Sequence, residues 1–407
     1  MNSTSPKTEG NKRWLTTSLL FFLGWVFMYA DRTILSPVQG VIREEFMLTN
    51  AEVGLISSIF FIVYTAIQIP SGLLGDRFGR TKLILFGFII FGIATALTGL
   101  VTTFMMLILV RIMAGFGEGF YYGPQYAVSS DSTPARFRAL GYAIINSGQA
   151  VGITLGLIGS SYVSFELGLG WRVTFMIYAV PTIIIGLLIY FLVKDGTQAT
   201  TVANSKTSAG SLASVLEVLG NRQLATIFFI SFCSVYGFFV MVTWLPLYLA
   251  DARNIPLSET GIFASLVAWT SVPAALFFAR ISDKFHSRKP ILLTLIPLAI
   301  CSIVVLIIVE EWSLVIAALV LYGLVGKLAC DPLLLALISE HAPKDKLSTV
   351  YGLYNCIAMV GAILAPYVTG WLRDSTTTWN SGFYFAAGLL VLGWLAALTL
   401  KSKPTVE

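Results

Sequence analysis

Charge is scarce in this chain: Asp, Glu, Lys and Arg make up 12% of its 407 residues, against about a quarter in ordinary soluble domains. Histidine is scarcer still. The two present, His286 and His341, fall in polar loops, so proton transfer inside an apolar span is left to carboxylates. Cys233, Cys301, Cys330 and Cys356 lie in apolar segments without metal-ligand spacing, so no disulfide and no metal site is expected. No nucleophile–base constellation, metal motif or phosphate loop appears, which argues against an enzyme. Nothing supports nucleic-acid binding, and no cofactor other than a coupling proton is expected.

Hydrocarbon is what the chain has in plenty. Hydrophobic residues reach 56% and mean hydropathy is +0.82, the composition of a polytopic protein of the lipid bilayer. Spans are expected near 14–38, 51–74, 81–101, 104–128, 137–163 and 171–193. Six more follow near 223–249, 257–280, 289–309, 312–338, 347–371 and 381–400. Each is close to the ~20 residues a membrane helix needs. The Ser/Thr/Ala-rich stretch 194–222 separates the two sets as a cytoplasmic linker, giving bundles over 1–193 and 223–407. The polar head Met1–Arg13 shows no small-residue cleavage pattern, so it is expected to be retained.

Basic residues orient the spans. With both termini placed in the cytoplasm, nineteen of the 26 Lys and Arg fall on that side and four on the other, as the positive-inside rule requires. Three remain within spans: Arg32, Arg111 and Lys327. The same sorting leaves three acids there: Asp31, Glu118 and Asp331. Charges in hydrocarbon are costly and mark function, so these six are the candidates.

An internal repeat accompanies the layout. "GLLGDRFGRTK" (Gly72–Lys82) follows span two, and "ARISDKFHSRK" (Ala279–Lys289) follows span eight. Gly72, Asp76, Arg77, Gly79 and Arg80 resemble the G-x-x-x-D-R-x-G-R loop of the major facilitator superfamily. The second copy keeps Asp283 but has Ala279 and His286 where glycines are expected. The resemblance implies an all-α fold of twelve transmembrane helices in two six-helix bundles, with these loops as conformational locks.

Five stretches are similar, within that superfamily, to the anion:cation symporters, including bacterial galactonate and hexuronate carriers and the sialin relatives. They are "YADRTILSP", "YTAIQIPSGLLGDRFGR", "RIMAGFGEGFYYGP", "SGQAVGI" and "TWLPLYL". The match covers nearly all of the N-terminal half and is thinner beyond it, where "GLYN" adds to it.

Helix geometry narrows the roles of the charges. Neighbours such as Asp31 and Arg32 do not face each other on a helix. At ~1.5 Å per residue, Asp31 lies roughly 25 Å along span one and Arg111 roughly 10–12 Å into span four, at compatible depths. An Asp31–Arg111 interaction is therefore expected, with Arg32 left facing the cavity. Glu118, two turns after Arg111, shares its face, near the level of Asn146 and Gln149. Gly115, Gly117 and Gly119 let helices approach there. Asp31 and Glu118 are the candidate proton carriers. Arg32 suits a carboxylate as a planar donor.

The resemblance implies the same assignment: Asp31 and Glu118 couple protons, Arg111 interacts with them, and Tyr29, Arg32, Tyr64 and Gln149 lie in or beside the substrate site. It also places Asn355 at that site. Trp244 and Tyr236 are weaker lining candidates. Lys327 and Asp331, at i and i+4, are either a self-compensated pair or a second cation for substrate with its counter-ion.

The expectation is thus a monomeric proton symporter of the cell (inner) membrane, importing an organic anion such as a hexonate, hexuronate or other carboxylate by alternating access. One alternative is a proton-driven antiporter exporting amphipathic compounds, against which Arg32, Tyr64 and Gln149 count. Another is a transport-inactive receptor or sensor, which would usually add a soluble domain; the tail Lys401–Glu407 is short.

Overall fold

Span one is the start of a single helix far longer than a membrane crossing needs: α1 runs Pro6–Glu45, 40 residues, although ~20 suffice. The computed structural model describes residues 6–134, 137–193, 212–285, 288–343 and 347–401. Most of the expected linker (194–211), His286, and the side chains of Asp76 and Asp283 lie outside the described residues.

The helices that follow are α2 (Asn50–Phe78), α3 (Arg80–Thr98), α4 (Phe104–Glu118), α5 (Tyr122–Ser132), α6 (Arg138–Ser161) and α7 (Gly170–Leu192). A short α8 (Leu212–Gly220) precedes α9 (Arg222–Arg253), α10 (Leu257–Trp269), α11 (Ser271–Phe285), α12 (Lys289–Ile308) and α13 (Trp312–Val325). The last are α14 (Lys327–His341), α15 (Leu347–Thr376) and α16 (Asn380–Leu398). Among the described residues, twelve stretches are long and apolar enough to cross a membrane, as in a multi-pass membrane protein.

Three of the twelve stretches are broken helices. Phe104–Ser132 consists of α4 and α5, Leu257–Ser282 of α10 and α11, and Trp312–His341 of α13 and α14. Each break has a residue-level cause. Gly119 closes α4, after which the Phe120 N–H turns back to the Gly117 carbonyl at 3.3 Å. Pro273 sits in the first turn of α11, where a missing N–H costs nothing. Gly326 separates α13 from α14 in an extended conformation.

The chain divides into two compact units: Met1–Val38 with Ile59–Ala203, and Gln39–Ser58 with Asn204–Glu407. In the first, α6 packs on α1 through glycines spaced four apart. A Cβ would meet the Phe22 carbonyl oxygen at 2.4 Å from Gly148, that of Val26 at 2.3 Å from Gly152, and that of Ala30 at 2.5 Å from Gly156. Small residues at this spacing let membrane helices touch backbone to backbone. In the second unit, Asp374 at the end of α15 accepts from the backbone N–H groups of Asn50 and Ala51 at 3.1 and 2.8 Å. An aspartate at a helix N-terminus satisfies orphan donors and meets the positive end of the dipole.

The turn between α2 and α3 needs Gly79, whose φ of 97° lies where L side chains are strained. Beyond it Arg80 pairs with Asp131 of α5 at 2.6 Å. The second repeat has no such glycine, yet Arg288 pairs with Glu340 of α14. A loop-to-helix ion pair thus survives where the glycine pattern does not.

Candidate functional site

Glu118 is the last residue of α4, so its carboxylate stands at the negative end of the helix dipole, where an anion is disfavoured. Backbone packing puts it there. A Cβ on Gly115 would meet the Phe60 carbonyl at 2.5 Å, one on Gly117 the Phe91 nitrogen at 2.6 Å, and one on Gly119 the Ile67 side chain at 2.6 Å. The three glycines thus draw α4 onto α2 and α3 around the acid.

The compensating charge is Arg32 of α1. Its Nε donates to Glu118 Oε2 at 2.7 Å and its Nη2 lies 2.7 Å from the same oxygen. Glu118 Oε1 is buried with no partner among the described residues. The guanidinium lies over the rings of Tyr64 and Tyr29, 4.3 and 4.8 Å from their centroids, with Phe60 and Phe61 at 5.6 and 5.8 Å. Aromatic faces attract a desolvated guanidinium. Arg32 therefore does not face a cavity unpaired, as the sequence led us to expect; its side chain is 4% exposed and held by an acid three spans further along the sequence.

Asp31, pointing to the other side of α1, is fully engaged. Its Oδ2 accepts from Arg111 Nη1 at 3.1 Å, and its Oδ1 accepts from the Thr95 hydroxyl at 2.8 Å. Arg111 rests on the Phe175 ring at 4.9 Å, while its Nε and Nη2 are buried without partners among the described residues. Two ion pairs thus lie side by side, joined through one peptide unit, between Asp31 and Arg32. Thr95, Phe60, Phe61 and Phe175 were not singled out from sequence. A threonine or phenylalanine in an apolar span carries no periodic signal of its own.

The polar residues of span five separate. Asn146 is exposed, and its Oδ1 accepts from Tyr126 at 2.6 Å. Gln149 is half-buried, flanked by the close-packed Gly148 and Gly152, and no partner is found for it among the described residues. Tyr126 extends an aromatic series of Tyr142, Tyr122, Trp25 and Tyr29, with centroids 4.9 to 6.0 Å apart.

In the second unit, Lys327 Nζ lies 2.5 Å from Asp331 Oδ2, and the six intramembrane charges thus resolve into three ion pairs. Asn355 is half-buried on α15. Trp244 is fully buried, and its indole N–H donates to the Pro366 carbonyl at 3.1 Å. Its ring packs against that of Trp379. Tyr236 is buried too, edge-on to Phe385. Both follow from α9 being apolar on nearly every side, which makes it a core helix.

A family profile described as Major Facilitator Superfamily matches residues 21–357 and 227–407. The hexuronate transporter of Bacillus subtilis is 25% identical over 403 residues, covering 94% of each chain. The "Probable L-galactonate transporter" of Escherichia coli is 26% identical over 414 residues, covering 96% of this chain and 89% of that one. Among solved structures, a bacterial homologue of the human lysosomal transporter Spinster, inward-facing and unoccupied, superposes with a TM-score of 0.79 at 18% identity over 98% of both chains.

Proposed function

The chain belongs to the major facilitator superfamily, a family of transporters and not of enzymes, and on that footing we propose that it moves sugar acids across the cell (inner) membrane together with protons. Organic-anion transport is the coarser reading, supported by relatives named for hexuronate and L-galactonate. Symport is the finer one, and the Arg32–Glu118 contact carries it.

A cargo carboxylate and Glu118 compete for one guanidinium. While Glu118 is ionised, Arg32 is occupied by it: its Nε–H donates to one carboxylate oxygen, with Nη2 at ion-pair distance from the same oxygen. A proton on Glu118 removes the charge-assisted bond and frees a planar, doubly donating cation for the cargo. Loss of that proton returns Arg32 to Glu118 and expels the anion. Proton and anion therefore bind together and leave together, which is symport by simple exchange of partners. Tyr29, Tyr64 and Gln149 supply hydroxyl and amide groups for the cargo's own hydroxyls. Asp31, Arg111 and Thr95 form the second proton-exchangeable group, one residue away.

Proteoliposomes under an imposed pH gradient test the reading with a panel of hexonates, hexuronates and aromatic acids. Accumulation of a sugar acid above its outside concentration, abolished by a protonophore, is the expected result. Accumulation that ignores the proton gradient removes the symport reading, and absence of any organic-anion uptake removes the cargo reading as well.

A further inference from the structure

The two oxygens of Asp31 are held by unlike groups. Arg111 Nη1 donates to Oδ2 at 3.1 Å, and the Thr95 hydroxyl donates to Oδ1 at 2.8 Å. Asp31 and Thr95 are each 1% exposed, so bulk water does not serve them. The same hydroxyl also lies 3.0 Å from the Phe91 carbonyl, one turn back on α3. A threonine hydroxyl carries one hydrogen and two lone pairs. It therefore serves one of these two acceptors fully at a time.

The two acceptors match the two forms of the acid. Ionised Asp31 takes the hydrogen of Thr95 in a charge-assisted bond. A proton added to Asp31 goes to Oδ1, because Oδ2 faces the Arg111 cation. The new O–H then needs an acceptor, and the Thr95 oxygen becomes one when the threonine's own hydrogen turns to Phe91. That carbonyl has a second lone pair beside the one used by the helix, and helical threonines readily bond the carbonyl four residues back. One O–H bond forms on Asp31, no bond of Thr95 breaks, and Arg111 keeps its place on Oδ2. The charged groups that act on Asp31 from the helices around it are Arg111 and Glu118 of α4, the latter paired with Arg32. Helix α7 brings the uncharged Phe175, stacked on Arg111, and α6 has no charged residue after Arg138.

We propose that Thr95 is a positioning residue for proton binding at Asp31: its hydroxyl turns between the ionised carboxylate and the Phe91 carbonyl, so that Oδ1 is matched both with and without its proton. The inference rests on the symport reading above and adds to it the atom that receives the proton and the group that accommodates it. Unmatched polar groups are costly in hydrocarbon, and a carboxyl group that must exist in two forms there needs a partner able to accept as well as donate. A hydroxyl does both, whereas an arginine only donates.

The test uses the full chain in proteoliposomes. Thr95→Val keeps the shape of the side chain and removes the hydroxyl, while Thr95→Ser keeps the hydroxyl. Uptake of a hexuronate is measured against pH. In Thr95→Val the ionised form of Asp31 loses a charge-assisted bond and the protonated form only a neutral one. The proton concentration that half-saturates uptake should therefore fall by up to about tenfold, and Thr95→Ser should restore it. Infrared difference spectra between high and low pH read the acid itself, with Asp31→Asn identifying its band. The C=O stretch of protonated Asp31 should move to higher wavenumber in Thr95→Val, where the acid has lost its acceptor, and stay in place in Thr95→Ser. A band or a pH profile unmoved by Thr95→Val overturns the proposal, and so do equal changes in the Val and Ser variants, which would make the effect one of packing. Uptake by the unaltered protein that ignores the proton gradient removes the symport reading and this role of Thr95 with it. Normal coupling with an unmoved band removes only the role of Thr95.

Discussion

Arg32 and Glu118 meet through a single carboxylate oxygen, at 2.7 Å from both Nε and Nη2, while the other oxygen of Glu118 is buried without a partner among the described residues. The fork-to-fork geometry that makes arginine–carboxylate pairs strongest is not used. The pair is thus close enough to neutralise both charges and leaves acceptor capacity over.

Removal of either partner leaves the other as an isolated buried charge, which costs about 3–5 kcal/mol. Arg32→Gln and Glu118→Gln should each lower the unfolding midpoint of the purified protein accordingly. The double variant should lose less than the two single effects together, because it leaves neither charge stranded. Strict additivity in this cycle would mean that the contact contributes nothing to stability.

Asp31→Asn keeps the size of the side chain and one acceptor oxygen, enough for Thr95 or Arg111 but not both, and removes the ionisable group. Accumulation against a concentration gradient should disappear while exchange of labelled for unlabelled cargo continues. Concentrative uptake by this variant at the rate of the unaltered protein would remove Asp31 from the coupling machinery.

The glycines of α6 differ sharply from one in the signature loop. Gly152→Leu drives a side chain into the Val26 carbonyl, 2.3 Å from where its Cβ must lie, and overpacking of this kind costs about 1–3 kcal/mol or more. No atom stands within 4 Å of a Cβ on Gly72, so Gly72→Ala should be neutral or stabilising by up to about 1 kcal/mol. Detergent-solubilised thermal unfolding separates the two. Equal losses would mean that the close approach of α6 to α1 does not hold the unit together.

In the same loop, Gly79→Ala should cost about 1–2 kcal/mol, because a Cβ is strained at φ 97°. Arg80→Ala, which breaks a pair whose side chains are 27% and 52% exposed, should cost less than about 1 kcal/mol. The order of these two effects, read from unfolding midpoints, checks whether backbone conformation or ion pairing holds the turn.

Composition alone made this a membrane protein, and the spacing of apolar runs placed all twelve spans, since hydrocarbon imposes its thickness on every helix that crosses it. Sorting of charges isolated Asp31, Arg32, Arg111, Glu118, Lys327 and Asp331, because a charge in that setting has few uses that are not functional. Helix geometry extended this as far as the contact between Asp31 and Arg111. It did not reach the contact between Arg32 and Glu118, which depends on how closely Gly115 and Gly119 bring α4 onto α2.

The helical membrane class, the spans and the list of buried charges were therefore determined by the sequence, through hydrophobicity and the cost of desolvating ions, which act residue by residue, while the fold was implied by the resemblance of the loop after span two. That Arg32 answers Glu118, that Thr95 holds Asp31, and that the Trp244 indole donates to the Pro366 carbonyl were decided only by the tertiary structure. The physical reason is range. Hydrogen bonds and ion pairs are decided within about 3–4 Å, and distances of that size are set by backbone approach between helices far apart in the chain.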